Sequence, residues 1–495
     1  MFHGRFRVCL PAVLALCISS FAVAETLQPI ADLGTGFYQH RQGGLYPGGS
    51  NVIPSDHLAL ALDQASLIRP RADDGEPDPM GWIGFVSIGM SNASQEFKVL
   101  DWLLADSADV NPALRVVNGA QGGMPAEALA DPEHHYWARL ASRVVASGLT
   151  AEQVQVCWLK QALGQVQDPS FPDHVMLLEQ HLADILRNLR QVFPHLRLCY
   201  LTNRIYGGYS DRIERGEPLT YESGFAVKAV IERQIQGDSE LNADPAAGDV
   251  VAPVVLWGSE QWANGPEPRG DGLTWLLEDY EDDLVHPSLS GELKAGTRWF
   301  EALSTDPVAS RWLFAELPGQ FRISVRPVAD AAVNQADPDN NFGLLPQLRA
   351  GWVGGGSDEV MSYLRFEAGP LSPSALLGSR LYLHGLNPID FEVWPVAADS
   401  WEETTLTWNQ RPPLGLSLLT GGHAWEADGS ATFDIGPMPG ITADGGLNLA
   451  LRRAVGEGIQ RASSRETVLS PLLVLRLRDE GWLFSDRFEG PPIGN

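Results

Sequence analysis

The chain has 495 residues and carries 35 lysine and arginine residues against 62 aspartate and glutamate residues, a net charge of −27. A surface this acidic repels the phosphates of nucleic acids and anionic membranes, so neither is expected as a partner. A neutral or esterified sugar polymer is easier for such a surface to accommodate. The length favours two domains over one.

The first residues of the chain predict a cleavable secretory signal. Arg5 and Arg7 precede an apolar run, and the small residues 22–24 stand before the expected cleavage site. We therefore exclude residues 1–24 from the fold and expect a secreted or periplasmic protein. No later stretch reaches the roughly 20 consecutive apolar residues that a membrane span requires.

Residues 25–312 predict an α/β domain. Continuous apolar runs such as "WIGFVSI" and "VQVCWLK" alternate with segments of helical periodicity such as "SQEFKVLDWLLADS". Strands that are apolar throughout indicate a parallel sheet covered on both faces, a three-layer α/β/α sandwich. Cys157 and Cys199 lie inside such runs, where we expect buried free thiols, although a secreted chain also permits a disulfide.

Residues 321–480 predict a second domain, an antiparallel all-β sandwich, with the boundary within residues 313–320. Short alternating segments are separated by Gly, Pro, Asp and Asn clusters, and they read "SYLRFE", "RLYLHG", "FEVWPV", "LTWNQ" and "LNLALR". Residues 481–495 form a C-terminal tail. Its "WLFSDRFEG" resembles the short endings of secreted proteobacterial proteins, which indicates a bacterial source.

Candidate catalytic residues follow the predicted strands, where ligands bind in parallel sheets. They are Ser91 after the first strand, "NGAQGG" (residues 118–123) after the second, Lys160 and Gln161 after the third, and Asp283 and His286 before the last helix. A serine hydroxyl is a poor nucleophile unless a base takes its proton, and a carboxylate best orients that base. Asp283 and His286 can supply both from one short loop.

Each of these residues also has a purely structural interpretation. Ser91 is a good helix N-cap residue, and His286 could be a surface histidine before a helix. Asp282 could replace Asp283 as the partner of the histidine, although the spacing favours Asp283. 

Three tryptophans near the end of the first domain are also open to two interpretations. Trp257, Trp262 and Trp275 could line a sugar-stacking cleft, and core packing explains them nearly as well.

The first domain resembles the SGNH (GDSL-type) hydrolase family of esterases and lipases. The matching positions are Gly89 and Ser91 of "GMS", with Met90 in the place of the family's aspartate, Gly123 of "NGAQGG" as the oxyanion-hole glycine, and Asp283 and His286 followed by Pro287. The matches follow one another in the family's order. The resemblance implies a serine hydrolase with Ser91, His286 and Asp283 as its triad and no metal or organic cofactor.

One block of the family pattern is absent. Where the family has Gly-x-Asn-Asp, whose asparagine donates to the oxyanion, the chain reads "CWLKQA". The expected oxyanion hole therefore combines the backbone of Ser91 and Gly123 with Lys160 or Gln161. Loss of one such donor typically costs about two to three decades of rate.

The second domain resembles the DNRLRE-type β-sandwich of secreted polysaccharide-active proteins over residues 325–477. "WEETTLTWNQRPP" and Ser464-Arg465-Glu466 carry the likeness, although Arg465 and Glu466 could simply be a structural ion pair. We therefore expect a secreted serine esterase that acts on acyl esters, such as acetyl esters, of a carbohydrate polymer. The alternative is a non-catalytic polysaccharide-binding or matrix protein with a degenerate SGNH domain.

Overall fold

The structure, a computed structural model, describes residues 27–166, 168–396, 401–421, 431–436, 445–453 and 458–478. It confirms the predicted fold class, because a parallel-sheet α/β region is followed by an antiparallel all-β region. The expected signal peptide and C-terminal tail lie outside the described residues.

The described residues form helices and strands in the order that follows. The α-helices are α1 Ile30–Leu33, α2 Ser55–Ser66, α3 Ser91–Asp106, α4 Ala126–Ala130, α5 Tyr136–Ala146, α6 Asp173–Val192, α7 Leu219–Ile235 and α8 Leu289–Thr305. The strands of the first region are β1 Phe37–Tyr38, β2 Arg41–Gln42, β3 Ile83–Gly89, β4 Leu114–Val117, β5 Val154–Lys160, β6 Leu198–Leu201 and β7 Val254–Trp257. Those of the second region are β8 Gln320–Val325, β9 Pro327–Asn334, β10 Gln347–Val353, β11 Asp358–Glu367, β12 Leu376–Leu383, β13 Glu392–Pro395, β14 Thr420–Gly421, β15 Ala431–Asp434, β16 Gly446–Arg452, β17 Gly458–Ser463 and β18 Leu472–Arg478. No described helix has the length and apolar character needed to cross a membrane.

The five-stranded parallel sheet of the first region has the order β4-β3-β5-β6-β7. Side chains alternate between its faces, so Val86 and Cys157 pack against α4 to α7, whereas Phe85 and Trp158 pack against α2, α3 and α8. Because both faces are covered, every residue of β3 and β5 is buried. This two-sided burial is the reason the strands read as continuous apolar runs.

Cys157 and Cys199 form a disulfide, so the expectation of free thiols is wrong. The register of β5 and β6 sets the two residues opposite each other, with their Cα atoms 4.6 Å apart. The bond therefore links the two strands in the middle of the sheet, a pairing that their separation of 42 residues along the chain does not reveal.

The second region is a sandwich of two antiparallel sheets. One sheet has the order β14-β13-β16-β11-β10-β17, with β9 also paired to β11, and the other has the order β15-β12-β18-β8. Inward-facing side chains such as Leu364, Leu449 and Leu475 fill the space between the sheets.

The segment "LTWNQ" is not a strand, contrary to its alternating pattern. Trp408–Gln410 is a single 3-10 turn. The guanidinium of Arg411 lies 3.6 Å from the centre of the Trp408 ring and donates to the Trp408 carbonyl at 2.6 Å. Pro412 and Pro413 follow, and proline lacks the N–H that a strand ladder needs, so the turn replaces a strand here.

The two regions pack against each other through the second half of α3. The indole of Trp102 donates to the carbonyl of Ser470 at 3.1 Å. Arg322 of β8 donates to the carbonyls of Leu104 and Ala105 at 2.9 and 2.5 Å. These carbonyls belong to the last turn of the helix, where they have no partner within the helix and attract positive charge.

Two arginines reinforce this contact at a second place. Arg115 of the α/β region and Arg476 of the sandwich both stack on the ring of Trp82, at 3.7 and 4.4 Å from its centre. Arg115 also forms an ion pair with Asp434 of the sandwich at 2.8 Å. The two regions therefore share buried and charged contacts at two places.

Buried His384 predicts a dependence of stability on pH. Its Nδ1 lies 3.1 Å from the hydroxyl of Ser463, and burial, aided by the charge of Lys98, lowers its pKa to about 3. In the unfolded chain the imidazole gains a proton below its ordinary pKa of 6.5, whereas the folded protein resists protonation down to about pH 3. Stability contributed by the neutral ring is therefore present above pH 6.5 and is lost as the pH falls.

We expect acidification from pH 7 to 5 to cost the wild type about 2 kcal/mol more than the His384→Asn variant. Thermal unfolding at the two pH values measures this difference, with exposed His40→Asn as the control that keeps the wild-type response. An equal response of His384→Asn and wild type would contradict the assignment.

Candidate active site

Ser91 lies at the turn from β3 into α3. The strand ends at Gly89, and a side chain there would meet the Lys160 carbonyl oxygen at 2.4 Å and the Ala93 Cβ at 2.5 Å, so only glycine fits. Met90 occupies the cap position, and no side chain makes a cap hydrogen bond. The interpretation of Ser91 as a helix cap is therefore wrong, since Ser91 is the first residue of the helix.

Ser91, His286 and Asp283 lie in one hydrogen-bonded series. Ser91 Oγ lies 2.7 Å from His286 Nε2, and His286 Nδ1 lies 2.5 Å from Asp283 Oδ2. An ionised carboxylate can only accept, so the proton of the neutral imidazole belongs on Nδ1. Nε2 is then free to accept the proton of the serine hydroxyl.

The loop that carries His286 is organised by the carboxylate of Asp283. Asp283 Oδ1 accepts from the backbone N–H groups of Val285 and His286, both at 3.0 Å. Leu284 has φ of +59°, a left-handed conformation that is uncommon outside glycine and brings these amides round to one oxygen. Burial opposes ionisation of Asp283, but the bonds from His286 and Val285 outweigh it and hold its pKa below the ordinary value. Asp282 is exposed.

Two residues of α3 hold this loop beside the serine. The side-chain amide of Asn92 donates to the Val285 carbonyl at 3.0 Å, and that of Gln95 donates to the Glu281 carboxylate at 3.2 Å. Sequence analysis missed both residues. The signal that could have found them is their position within one helical turn of the serine.

Gly123 lies at the edge of the same pocket as Ser91. Its φ is +73°, and no atom lies within 4 Å of the position that a Cβ would take, so the space on that side of Gly123 is open. The amide of Ser91, in the first turn of α3, has no carbonyl partner within its helix. Ser91 and Gly123 thus line the same pocket from two different elements.

Lys160 lines the pocket, but its ammonium is bound to Glu96 of α3. Lys160 Nζ lies 2.6 and 2.7 Å from the two carboxylate oxygens, and the side chains are only 4% and 1% exposed. Burial raises the pKa of Glu96 and lowers that of Lys160, each against the attraction of its partner. The ammonium is therefore committed to the carboxylate, which sequence analysis did not identify.

The other proposed donor, Gln161, is also engaged elsewhere. Its amide nitrogen donates to the Met124 carbonyl at 3.0 Å, and its amide oxygen accepts from the Ala162 N–H at 3.2 Å. The side chain therefore connects the end of β5 to the loop that contains Gly123. Of the predicted site residues, Ser91, His286 and Asp283 are brought into contact, whereas the side chains of Lys160 and Gln161 bond to other groups.

The tryptophans proposed for a sugar-stacking cleft are part of the core. Trp262 and Trp275 are fully buried and Trp257 is 6% exposed. The indole of Trp262 donates to Glu217 at 2.8 Å, and that of Trp275 donates to the Gln261 carbonyl at 2.7 Å. Rings buried to this degree have no open face on which a sugar could stack, so the cleft interpretation is wrong.

One group of side chains in the described part of the chain has donor atoms close enough to hold a metal ion. The ligand atoms of Glu281, Asp283 and His286 lie within 4.8 Å of one another. Both ring nitrogens of His286 are already engaged, one by Ser91 and one by Asp283. A metal bound here would have to displace the serine or the aspartate.

The pocket next to Ser91 has a volume of about 200 Å³. His286 and Gly123 border it, and three arginines, Arg204, Arg212 and Arg215, also line it. Sequence analysis did not identify these arginines, since Arg212 and Arg215 come from a loop with no recognisable motif.

The second region matches a known family. Residues 322–476 match carbohydrate-binding module family 96, which supports carbohydrate binding by the β-sandwich. Neither the SGNH/GDSL family nor the DNRLRE family matches the chain. No curated protein matches it.

Some solved structures show a weak likeness to the chain. Two are crystal structures of the capsular polysaccharide assembling protein CapF from Staphylococcus aureus, each 9% identical. The first aligns over 79% of this chain and 95% of that chain with a TM-score of 0.12, and the second over 77% and 96% with a TM-score of 0.15.

The ion pair of Glu96 and Lys160 generates a stability prediction. Glu96→Gln leaves an ammonium buried without a counter-charge, which typically costs about 3–5 kcal/mol. We expect the double variant Glu96→Gln/Lys160→Met to be more stable than Glu96→Gln alone, because it removes that isolated charge. Denaturant unfolding of the wild type, the two single variants Glu96→Gln and Lys160→Met and the double variant measures the coupling free energy between the two side chains.

A partly exposed pair provides the control for this prediction. Asp184 and Arg187 form an ion pair on α6, with side chains about a quarter exposed, and Asp184→Asn should cost less than about 1 kcal/mol. A Glu96→Gln variant no less stable than Asp184→Asn would contradict the role assigned to the buried pair.

Proposed function

We propose that the protein is a secreted serine esterase that acts on acyl esters of a carbohydrate polymer. The observation that carries this proposal is the series Ser91 Oγ, His286 Nε2, His286 Nδ1 and Asp283 Oδ2, with separations of 2.7 and 2.5 Å. A nucleophile, its base and the group that orients the base are the parts that acyl transfer requires.

The chemistry proceeds in two halves. Ser91 Oγ bonds to the ester carbonyl carbon while His286 Nε2 takes the hydroxyl proton, and the same proton then passes to the departing alcohol oxygen. Water next attacks the acyl group on Ser91, with His286 taking a proton from the water and returning it to the serine oxygen. Asp283 keeps Nδ1 protonated and stabilises the imidazolium that forms in each half.

The developing oxyanion is stabilised by backbone donors. Ser91 and Gly123 line the pocket, so their backbone N–H groups are the proposed donors, and the positive end of α3 adds to their effect. Lys160 has a positioning role, because its ion pair with Glu96 holds the end of β5 beside α3.

The substrate class follows from the second region. Its match to carbohydrate-binding module family 96 favours an ester on a sugar polymer, and such a substrate is consistent with an extracellular location. Hydrogen bonds between α3 and the sandwich join the proposed catalytic region to the proposed sugar-binding region.

A second candidate function is polysaccharide binding without catalysis. It is favoured by one specific observation, that the side chains of Lys160 and Gln161, which stand where the family has its asparagine, are bonded to Glu96 and to the Met124 carbonyl. An acetyl ester assay separates the two candidates.

Ser91→Ala should lower the turnover of a small acetyl ester such as 4-nitrophenyl acetate by at least about 10³-fold, because it removes the nucleophile. The measurement is the initial rate of 4-nitrophenolate release. Ser55→Ala is the matched control, since Ser55 is also the first residue of a helix and is exposed. Equal rates for wild type and Ser91→Ala would exclude the esterase. Retained binding of polysaccharide in that case would favour the second candidate.

The identity of the orienting carboxylate is tested in the same assay. Asp283→Asn should reduce kcat by about 10³–10⁴-fold, because an amide can donate to Nδ1 and hold the wrong tautomer. The neighbouring, exposed Asp282→Asn removes the same charge and should leave kcat within about twofold. A larger loss for Asp282→Asn than for Asp283→Asn would reverse the assignment.

A further inference from the structure

The pocket beside Ser91 is positively charged in a chain whose net charge is −27. Arg204, Arg212 and Arg215 line it, and none of its described lining residues is aspartate or glutamate. Lys160, the fourth basic residue, is neutralised by Glu96. The three guanidinium groups therefore give the pocket a charge opposite to that of the whole protein.

These arginines come from two neighbouring elements. Arg204 follows the carboxyl end of β6, and its guanidinium donates to the Glu214 carbonyl at 3.2 Å. Arg212 precedes the 3-10 turn Ile213–Arg215, and Arg215 ends that turn. Arg204 thus connects the sheet to the loop that presents the other two.

The acidic residues of this loop, Asp211, Glu214 and Glu217, do not line the pocket, and the carboxylate of Glu217 bonds to groups elsewhere. Glu217 accepts from the N–H of Gly207 at 2.8 Å, from the N–H of Tyr221 at 2.9 Å and from the indole of Trp262 at 2.8 Å. It also accepts from the hydroxyl of Thr220. Its carboxylate is therefore used to hold the loop to α7 and to the core.

The guanidinium groups of Arg212 and Arg215 have no ion-pair partner among the described residues. Other arginines of the chain are paired, for example Arg269 with Asp271 and Arg465 with Glu403. Burial and then the charge of Arg215 lower the pKa of Arg204 to about 10, against the attraction of Glu217 and Glu214. An anion between Arg204 and Arg215 would relieve the repulsion of their like charges.

We propose that Arg204, Arg212 and Arg215 bind an anionic group of the substrate, a carboxylate or a sulfate, next to the ester that Ser91 attacks. This inference rests on the proposed esterase function and narrows its substrate to acidic esters. Guanidinium groups bind carboxylate and sulfate through paired, charge-assisted hydrogen bonds, which fix orientation as well as charge. The anion would then hold the ester carbonyl at a set place relative to Ser91.

The test compares substrates that differ in one charge. Acetylated methyl glucuronoside and acetylated methyl glucoside differ only in a carboxylate at the sixth carbon, so the ratio of their kcat/KM values reports recognition of the anion on the alcohol side. The hemisuccinate and acetate of 4-methylumbelliferone place the same difference on the acyl side. We expect the wild type to prefer the charged member of one pair by about tenfold or more.

Arg215→Gln and Arg212→Gln should reduce that preference about tenfold, whereas Arg215→Lys should keep part of it. Arg139→Gln, on the exposed face of α5, removes the same charge outside the pocket and should leave the preference unchanged. No preference in the wild type, or an equal loss in Arg139→Gln, would overturn the inference. An equal loss on charged and neutral esters would show that the arginines only shape the loop, and would also overturn it.

A separate measurement distinguishes failure of this inference from failure of the esterase proposal. Methyl glucuronoside binding to the Ser91→Ala protein, followed by calorimetry, needs no turnover. Binding that is lost in Ser91→Ala/Arg215→Gln but kept in Ser91→Ala/Arg139→Gln supports the anion site even if no ester is hydrolysed. Identical binding by the two double variants excludes it.

Discussion

The buried ion pair between Glu96 and Lys160 is the interaction on which the candidate site depends. Glu96 belongs to the helix that begins at Ser91, and Lys160 ends the central strand β5. A buried pair contributes little net stability, but it is costly to break and it tolerates few alternative arrangements. The pair therefore sets how α3 lies on the sheet, and with it where the hydroxyl of Ser91 lies relative to the loop of His286.

The same helix connects the site to the β-sandwich. Its first residue faces the pocket, and the carbonyls of its last turn, including that of Ala105, accept from Arg322 of the sandwich. Trp102 adds a hydrogen bond to Ser470 and an apolar contact with Leu469. One rigid helix of 16 residues thus spans the distance between the candidate catalytic group and a region that matches a carbohydrate-binding module.

Much of the fold could be predicted from the sequence because burial on both faces of a parallel sheet leaves a local signature, continuous apolar runs. Ser91 and His286 could be proposed because they stand just after or before recognisable elements. The partner of Lys160 could not, since Glu96 is 64 residues away and only the packing of α3 on β5 joins them. "LTWNQ" misled for a different reason, because its alternating pattern is overridden by the two prolines that follow, which lack the N–H groups of a strand ladder.

Anion binding in the arginine-lined pocket could offset the loss of the oxyanion donor. Loss of one oxyanion donor costs an esterase about two to three decades of rate, and the side chains of Lys160 and Gln161 are bonded to Glu96 and to the Met124 carbonyl. Binding energy from a part of the substrate remote from the reacting bond can offset such a loss by orienting the carbonyl. A charged group held by Arg204 and Arg215 would supply that energy only for acidic esters. The proposed site would therefore both orient acidic esters for attack and select them over neutral ones.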